Sequence, residues 1–264
     1  MRPHFYAAIG AALCILASTT ALAQSNDGAQ KHSDEISKKI QAGSFTPRIF
    51  VRDEYKSAQS GGYTNLLVPL VEFPLRESLA LRLEVPIVTA NPYSPGSDTD
   101  TGIGDITTRL SWTVASEENY AVVVGSEFIF DSATEDSLGS GKNVIAPIAF
   151  ASIKVPRLNS MLFPFVEYYH TVSGDYSRPD VNYTVFKPVV FTRLPSRFYT
   201  IVEPAIYVDH ERNDRVGMNV ELELGRFVTT NTMVYGRPGV GLFGDNLPQV
   251  YNWNFEVGFR YFFK

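Results

Sequence analysis

Side chains that could carry acid–base or nucleophilic chemistry are sparse in this chain of 264 residues. Its single cysteine, Cys14, lies in an N-terminal segment that we expect to be removed, so thiol catalysis and disulfides are excluded from the mature protein. Histidines follow at positions 32, 170 and 210. His170 is close in sequence to Ser173, but a Ser–His pair also needs an orienting third group, and this spacing indicates none.

Acidic residues in two further segments could do other chemistry. Asp98 and Asp100, together with Asp209 and His210, loosely resemble the acidic and Asp–His pairs of omptin-type proteases. Asp209 and His210 are adjacent, however, so they point to opposite faces of an extended strand. Asp98, Asp100 and Asp105 offer oxygen ligands for calcium but lack an ordered ligand spacing. Solvated loop charges are the simpler interpretation, so we predict no catalytic residue, no metal site and no cofactor.

A third set of charged residues is more informative, because alternation along strands places it on one inner face. Its members are Arg82, Glu84, Asp105, Arg109, Glu127, Glu221, Glu223, Glu256 and Arg260. These side chains could form cross-strand ion pairs that fill and rigidify a narrow interior. They could instead line a pore and set the electric field that selects ions or solutes. The sequence leaves both interpretations open.

The stretch that best indicates the type of element is residues 249–264, QVYNWNFEVGFRYFFK. Every second residue from Tyr251 to Phe263 is large and apolar or aromatic, whereas the residues between them are polar or small as far as Arg260. One face of this strand is therefore apolar along its whole length. Aromatic residues at both ends of that face are typical of a strand that meets the two interfaces of a membrane. We predict that this is the closing strand of a transmembrane β-barrel.

Alternating runs of about ten residues recur from Phe45 onward, separated by turn-rich stretches. The twelve runs are 45–53, 62–74, 79–89, 104–114, 119–130, 143–154, 161–172, 182–193, 198–208, 216–226, 231–240 and 249–263. Short connectors such as LRES alternate with longer polar ones such as DSATEDSLGSGK. This pattern predicts an all-β fold over residues 45–264: a transmembrane antiparallel β-barrel of about twelve strands, with short periplasmic turns and longer extracellular loops. A barrel of this size has a narrow lumen.

Strand faces are ambiguous between residues 161 and 208, because both faces carry apolar side chains. If Glu167, Lys187 and Glu203 point inward to avoid the cost of a charge in lipid, several apolar residues must point inward with them. Those residues are Phe163, Phe165, Tyr169, Val185, Tyr199 and Ile201. One side of the lumen would then be aromatic and the other charged.

The N-terminal region is typical of an exported protein. Residues 1–23 contain Arg2, an apolar run and the small-x-small sequence Ala21-Leu22-Ala23, which together predict a cleaved signal peptide. Residues 24–44 are polar and are expected to form a periplasmic lead segment. The remaining chain has no apolar run near 18 residues, which excludes a helical membrane protein. Its acidic balance, 28 Asp and Glu against 23 Lys and Arg, argues against a nucleic-acid partner.

The segment from Thr64 to Trp112 contains TNLLVPLVEFPL, LALRLEVPIVTANP and TGIGDITTRLSW. It resembles the outer-membrane transporters grouped with the meta-pathway phenol-degradation proteins. In that family a Gly-x-Gly-Asp motif opens a strand after an extracellular loop, and Gly102, Gly104 and Asp105 match the motif. The resemblance implies an outer-membrane barrel that takes up hydrophobic or aromatic compounds. The last strand also resembles the C-terminal signal of the barrel-assembly machinery, although Lys264 follows the final aromatic residue.

These features together predict a channel or transporter in the bacterial outer membrane for small, hydrophobic or aromatic solutes, with a narrow charged lumen. Its expected partners are outer-membrane lipids, small-molecule solutes and the barrel-assembly machinery, with no nucleic acid. Two alternatives stay open at this point. One is a lipid or peptide hydrolase at the extracellular rim, and the other is a structural barrel whose lumen is filled.

Overall fold

The structure, a computed structural model, describes residues 45–91 and 98–263, so the predicted signal peptide and lead segment lie outside the described residues. Most of the described chain is antiparallel strand. The strands are β1 (Arg48–Ala58), β2 (Tyr63–Arg76), β3 (Leu79–Glu84), β4 (Ile87–Asn91), β5 (Asp100–Ile103), β6 (Thr107–Ser116), β7 (Tyr120–Ile129), β8 (Lys142–Val155), β9 (Ser160–Gly174), β10 (Asn182–Arg193), β11 (Phe198–Asp209), β12 (Arg215–Phe227), β13 (Thr232–Phe243) and β14 (Tyr251–Phe262). Single 3-10 turns lie at Asp136–Leu138, Pro156–Leu158, Pro195–Arg197 and His210–Arg212. Within these described ranges, no helix has the length and apolar character needed to cross a membrane.

The sheet closes on itself because β1 pairs with β14 on one side and with β2 on the other. β3 and β4 both pair with β2 and are separated only by Val85 and Pro86, so they are two halves of one wall strand. β5 pairs with β4, and β6 pairs with β3. Because only residues 104–106 separate β5 from β6, these two strands also form one wall strand. The fourteen segments therefore occupy twelve wall positions, which confirms the predicted twelve-stranded antiparallel barrel. Closure leaves no unpaired sheet edge to face lipid.

The two rims of the barrel differ in the length of their connections. Residues 77–78, 117–119 and 194–197 form short turns at one rim, where Arg48 of β1 also pairs with Phe262 of β14. Residues 130–141 and 175–181 form longer connections at the opposite rim. This asymmetry matches the predicted short periplasmic turns and longer extracellular loops.

The outer face of the wall carries large apolar side chains in every part of the barrel. Exposed examples are Leu67, Phe73, Leu83, Ile87, Leu110, Trp112, Val166, Phe186, Val202, Leu222, Leu224, Val234, Val257 and Phe259. Toward the extracellular rim, Tyr55 stacks between Tyr63 and Trp253, with ring centroids 5.3 and 5.2 Å apart. A band of aliphatic residues with aromatic rings near its edge is the surface expected to face a bilayer.

Two details of the predicted strands are wrong. The sequence predicts Tyr251 on the lipid face, but its ring is buried inside the barrel. The ladder between β1 and β14 shifts at Ser57 and Ala58, and such an irregularity moves a side chain to the other face. The sequence also predicts that the first strand ends at residue 53, whereas β1 continues to Ala58 and adds Glu54 and Lys56 to the wall.

Candidate functional site: the barrel lumen

The periplasmic end of the lumen is filled by apolar and aromatic side chains. This apolar cluster consists of the buried residues Met161, Phe191, Tyr199, Phe227, Met233, Tyr235 and Phe262, with Phe50, Phe163 and Ile201 packed against it. Phe191 and Tyr199 stack with ring centroids 5.5 Å apart, and both are almost fully buried. The cluster comes from β9 to β14 and β1, whereas the sequence predicts an aromatic wall only between residues 161 and 208, which form β9 to β11. Glu167, Lys187 and Glu203 do point inward beside it.

Glu223 is the centre of the ion-pair network that lies directly on the apolar cluster. Its carboxylate is fully buried and accepts hydrogen bonds from Arg260 Nη2 at 2.8 Å, Arg237 Nε at 3.0 Å and the Tyr199 hydroxyl at 2.7 Å. The Arg260 guanidinium also lies 4.0 Å above the Tyr235 ring centroid. Two arginines and a tyrosine hydrogen-bond this buried carboxylate, so the predicted lumen residues Glu223 and Arg260 are paired with each other inside the barrel.

Two further ion-pair networks line the lumen, one on β1 to β3 and one on β6, β7 and β9. Glu72 on β2 contacts Arg48 and lies 2.8 Å from Arg82, while Arg52 lies 3.3 Å from Glu84. Farther along the wall, Arg109 bridges Glu127 at 2.6 Å and Glu167 at 3.3 Å. Of the nine residues predicted from the sequence, Arg82, Glu84, Arg109 and Glu127 therefore lie inside the barrel in these paired arrangements. That these residues set the selectivity of the lumen for ions or solutes stays a prediction.

Asp105 lies on the inner side at the strand interruption, where it holds the extracellular loop of residues 130–141. Its Oδ2 accepts hydrogen bonds from the backbone N–H of Ser140 at 2.7 Å and from the Ser140 hydroxyl at 2.9 Å. Its Oδ1 accepts longer bonds, each 3.3 Å, from the N–H groups of Ser132 and Ala133. The loop therefore folds against the inner wall, and Asp105 anchors it.

The glycines of the same motif leave space for this loop. A Cβ atom on Gly102 would overlap Thr134 Oγ1, and one on Gly104 would lie 2.6 Å from Val88 Cγ2 and 3.1 Å from the Leu138 carbonyl oxygen. Leu138 is buried against Val88 and Ala90. The Gly-x-Gly-Asp motif is thus a docking point for the loop, which explains its residue types by close approach and hydrogen bonding.

A cavity of about 380 Å³ opens above the Glu223 network on the extracellular side. Eight charged side chains line it: Arg52, Glu54, Lys56, Lys187, Glu203, Glu221, Arg237 and Glu256. Tyr183, Tyr207 and Tyr251 add aromatic surface, and Pro248, Gln249 and Val250 of the β13–β14 loop form part of its roof. β1 and β10 are five positions apart in a ring of twelve strands, so the cavity spans the lumen from wall to wall.

Sequence reasoning identified only part of this cavity. Glu221 and Glu256 were among the predicted lumen residues, whereas Lys187 and Glu203 were only conditional. Lys56 lies beyond residue 53, where the first strand is predicted to end, whereas Arg52 lies within that strand but is not among the predicted lumen residues. Arg237 is not among the predicted lumen residues, because it lies between Gly236 and Pro238, where the alternation of polar and apolar residues is hard to recognise. The sequence does contain a signal in β1, because every second residue from Arg52 to Lys56 is charged, which indicates that the inner face continues beyond residue 53.

The two rim histidines do not form the Ser–His pair that the sequence raised as a possibility. His170 lies against Tyr168, with ring centroids 5.9 Å apart, while the Ser173 hydroxyl accepts a hydrogen bond from the Asn143 amide. His210 lies between the Thr184 hydroxyl at 3.0 Å and Asp214 Oδ1 at 2.6 Å. Asp209 is buried on the other face, as expected for adjacent residues of a strand. Within residues 45–91 and 98–263, no group of three or more His, Cys, Asp or Glu side chains could hold a metal ion.

Solved structures share this architecture. The COG4313 outer membrane channel from Pseudomonas putida F1 aligns with a TM-score of 0.65 at 11% identity, over 85% of this chain and 98% of that one. This chain has the fold of a bacterial outer-membrane barrel. A NanC porin aligns with a TM-score of 0.59 at 13% identity, over 81% of this chain and 100% of that one. A KdgM porin in complex with disordered oligogalacturonate aligns with a TM-score of 0.54 at 12% identity, over 82% and 99%.

Sequence comparison adds no family to this fold. No protein-family profile and no curated protein matches the chain. The resemblance to the meta-pathway transporters over residues 64–112 therefore stays a prediction. At these identities the structural likeness establishes the fold, and the function must be argued from the lumen.

Proposed function

We propose that this chain forms a narrow outer-membrane channel for small polar solutes. The observation that carries the proposal is the charged cavity, which spans the lumen and is bounded by loop residues on its extracellular side. Eight charged side chains around one cavity of a narrow barrel create a strong local field, which is how channels select solutes. The porin and channel names of the structural neighbours are consistent with this role.

The route below the cavity follows the inner face of β1 to β3. Arg52, Arg48 and Arg82 are 36, 19 and 19% exposed, so water reaches charged groups along this side of the lumen. The apolar cluster comes from β9 to β14, and Phe50 of β1 packs against it. We therefore propose that solutes pass beside the cluster, between the ion pairs of β1 to β3.

The dimensions and lining of the cavity restrict the solute. A volume of about 380 Å³ corresponds to roughly a dozen water molecules, which is enough for one small molecule and too little for a polymer coil. The charged lining favours solutes that carry polar groups over the purely hydrophobic ones that the family resemblance implies, because burying unpaired charges against an apolar molecule is costly.

Single-channel recording of the refolded, signal-less protein in a planar bilayer tests this proposal. Folding is confirmed first by heat-modifiable mobility on a gel. We expect discrete conductance steps. In a KCl gradient, Lys56→Gln should shift the reversal potential toward the equilibrium potential of K⁺, because it removes an exposed cation from the cavity. Arg157→Gln makes the same charge change in a periplasmic turn and should leave the reversal potential unchanged.

A filled structural barrel is the second candidate, and the fully buried side chains of Tyr199 and Glu223 favour it. A folded protein that gives no conductance steps would contradict the channel and support this alternative. The hydrolase alternative has no support from a Ser–His pair, because His170 contacts Tyr168 and the Ser173 hydroxyl accepts a hydrogen bond from Asn143.

A further inference from the structure

The charged groups that reach into the cavity are mainly basic, although the lining contains four cations and four carboxylates. The side chains of Lys56, Arg52 and Lys187 are 37, 36 and 28% exposed. Each lysine has one carboxylate within ion-pair distance: Glu54 lies 3.1 Å from Lys56, and Glu203 lies 3.2 Å from Lys187. An ammonium group has three donors, so both lysines keep donors for a solute.

The carboxylates of the same cavity are more withdrawn. Glu256 and Glu54 are 3 and 8% exposed, and Glu221 and Glu203 are 17 and 19% exposed. Most of them already accept hydrogen bonds from uncharged neighbouring side chains. The Tyr251 hydroxyl and the Asn254 amide donate to Glu221 at 2.7 and 2.9 Å, and the same amide donates to Glu54 at 2.8 Å. A solute in the cavity therefore meets cationic donors first.

One wall of the cavity is aromatic. Tyr183 and Tyr207 line it, with ring centroids 6.2 Å apart in an edge-to-face arrangement. Tyr183 also stacks on Tyr169, with centroids 4.5 Å apart. Lys187 lies on the same strand as Tyr183 and faces the same lumen. The aromatic surface and the cationic donors are thus next to each other, an arrangement that suits a flat molecule with an anionic group.

We propose that the cavity is a binding subsite for small organic anions, in which a carboxylate lies against Lys187 and a flat carbon frame lies against Tyr183 and Tyr207. This assignment rests on the proposed channel function and names its solute class. The equal number of opposite charges in the lining keeps the cavity near neutral, so no excess negative field repels the anion. The cavity volume admits one ring with a short substituent.

Calorimetric titration of the refolded, detergent-solubilised barrel tests the subsite without relying on conductance. The probes are benzoate, which has the ring and the anion, benzylamine, which has the ring and a cation, and acetate, which has the anion alone. We expect saturable binding of benzoate, with at least tenfold weaker binding of the other two. Equal or tighter binding of benzylamine would overturn the proposal.

A variant of the proposed anion ligand leaves its native partner paired. In Lys187→Met, Glu203 keeps Arg237 at 3.6 Å. This substitution should weaken benzoate binding about tenfold, whereas Arg157→Gln in the periplasmic turn should not change it. Glu203→Gln, which removes a competing carboxylate, should strengthen binding. If Lys187→Met folds and binds benzoate like the unmodified chain, the subsite is wrong.

The subsite and the channel can fail separately. Benzoate binding with no conductance would refute the proposed channel and retain the subsite. Conductance with no benzoate binding would refute the subsite and retain the channel. If both hold, benzoate added on the extracellular side should interrupt the single-channel current, and Lys187→Met should shorten these interruptions about tenfold.

Discussion

Replacement of Asp105 by alanine should release the extracellular loop of residues 130–141 from the inner wall. The carboxylate accepts two short hydrogen bonds, from the backbone N–H and the hydroxyl of Ser140, at 2.7 and 2.9 Å. The two other bonds, each 3.3 Å, are longer than usual for N–H···O hydrogen bonds and contribute little to the docking. Hydrogen bonds to a charged group contribute about 1.5 kcal/mol each at the lower end of their range, so the docked loop should lose about 3 kcal/mol.

That loss corresponds to a rise of about 100-fold in the undocked population of the loop. Glu135 lies within the loop and offers a cleavage site for a glutamate-specific protease added to intact cells. When loop opening is fast relative to cleavage, the cleavage rate follows the undocked population. The Asp105→Ala protein should therefore be cut at Glu135 about 100 times faster than the unmodified protein.

Asp100→Ala is the matched comparison for this experiment. Asp100 contacts the same loop through one exposed hydrogen bond from the Ser137 hydroxyl, so its loss should cost about 1 kcal/mol and raise cleavage only about fivefold. Equal cleavage rates for the Asp105→Ala and unmodified proteins would refute the docking role of the motif. A similar effect of both substitutions would show that the loop is held by its exposed contacts.

Four further substitutions probe the packing of the barrel. Arg237→Met removes the cation that contacts four carboxylates, so the urea midpoint should fall by an amount equivalent to about 3–5 kcal/mol. Gly225→Ala should prevent folding, because its Cβ would overlap the Tyr199 ring, and the protein should lose its heat-modifiable mobility on a gel. Gly236→Ala should fold, since the atom nearest to its Cβ would be 3.7 Å away. Phe191→Ala opens the apolar cluster, and should cost about 3–5 kcal/mol in stability while raising single-channel conductance.

The sequence predicted the architecture well because a membrane enforces one rule on every strand. A charge that faces lipid costs about 2–4 kcal/mol at the midplane, so alternation assigns faces even where both carry apolar residues. Arg82 and Glu84 on β3 illustrate this, as do Glu167 and Lys187 in the ambiguous region, all of which point inward. Tyr251 was misassigned because a ladder irregularity shifts the alternation by one residue, and no residue type in the strand marks that position.

The loops that fold inward were beyond sequence reasoning for a different reason. Their positions depend on hydrogen bonds between residues distant in the chain, such as Asp105 with Ser140, or Asn219 with the Gln249 carbonyl oxygen. Periodicity contains no information on such contacts. The Gly-x-Gly-Asp motif did mark the docking point, but its resemblance to a family motif indicated a strand start and gave no reason for the two glycines.

Strand neighbours explain only part of the pairing among the lumen charges. Glu72 faces Arg82 and Arg109 faces Glu127 across adjacent strands, and both pairs are ion pairs. Directly opposed residues on adjacent strands include like charges: Glu203 faces Glu221, Glu54 faces Glu256, and Arg82 faces Arg109. In a flat sheet these pairs would be destabilising. In the closed barrel their side chains converge, and Arg237 reaches four carboxylates on β11, β12 and β14. Curvature thus adds partners beyond the adjacent strand, so a substitution at one wall position should alter the charges presented by several strands to a passing solute.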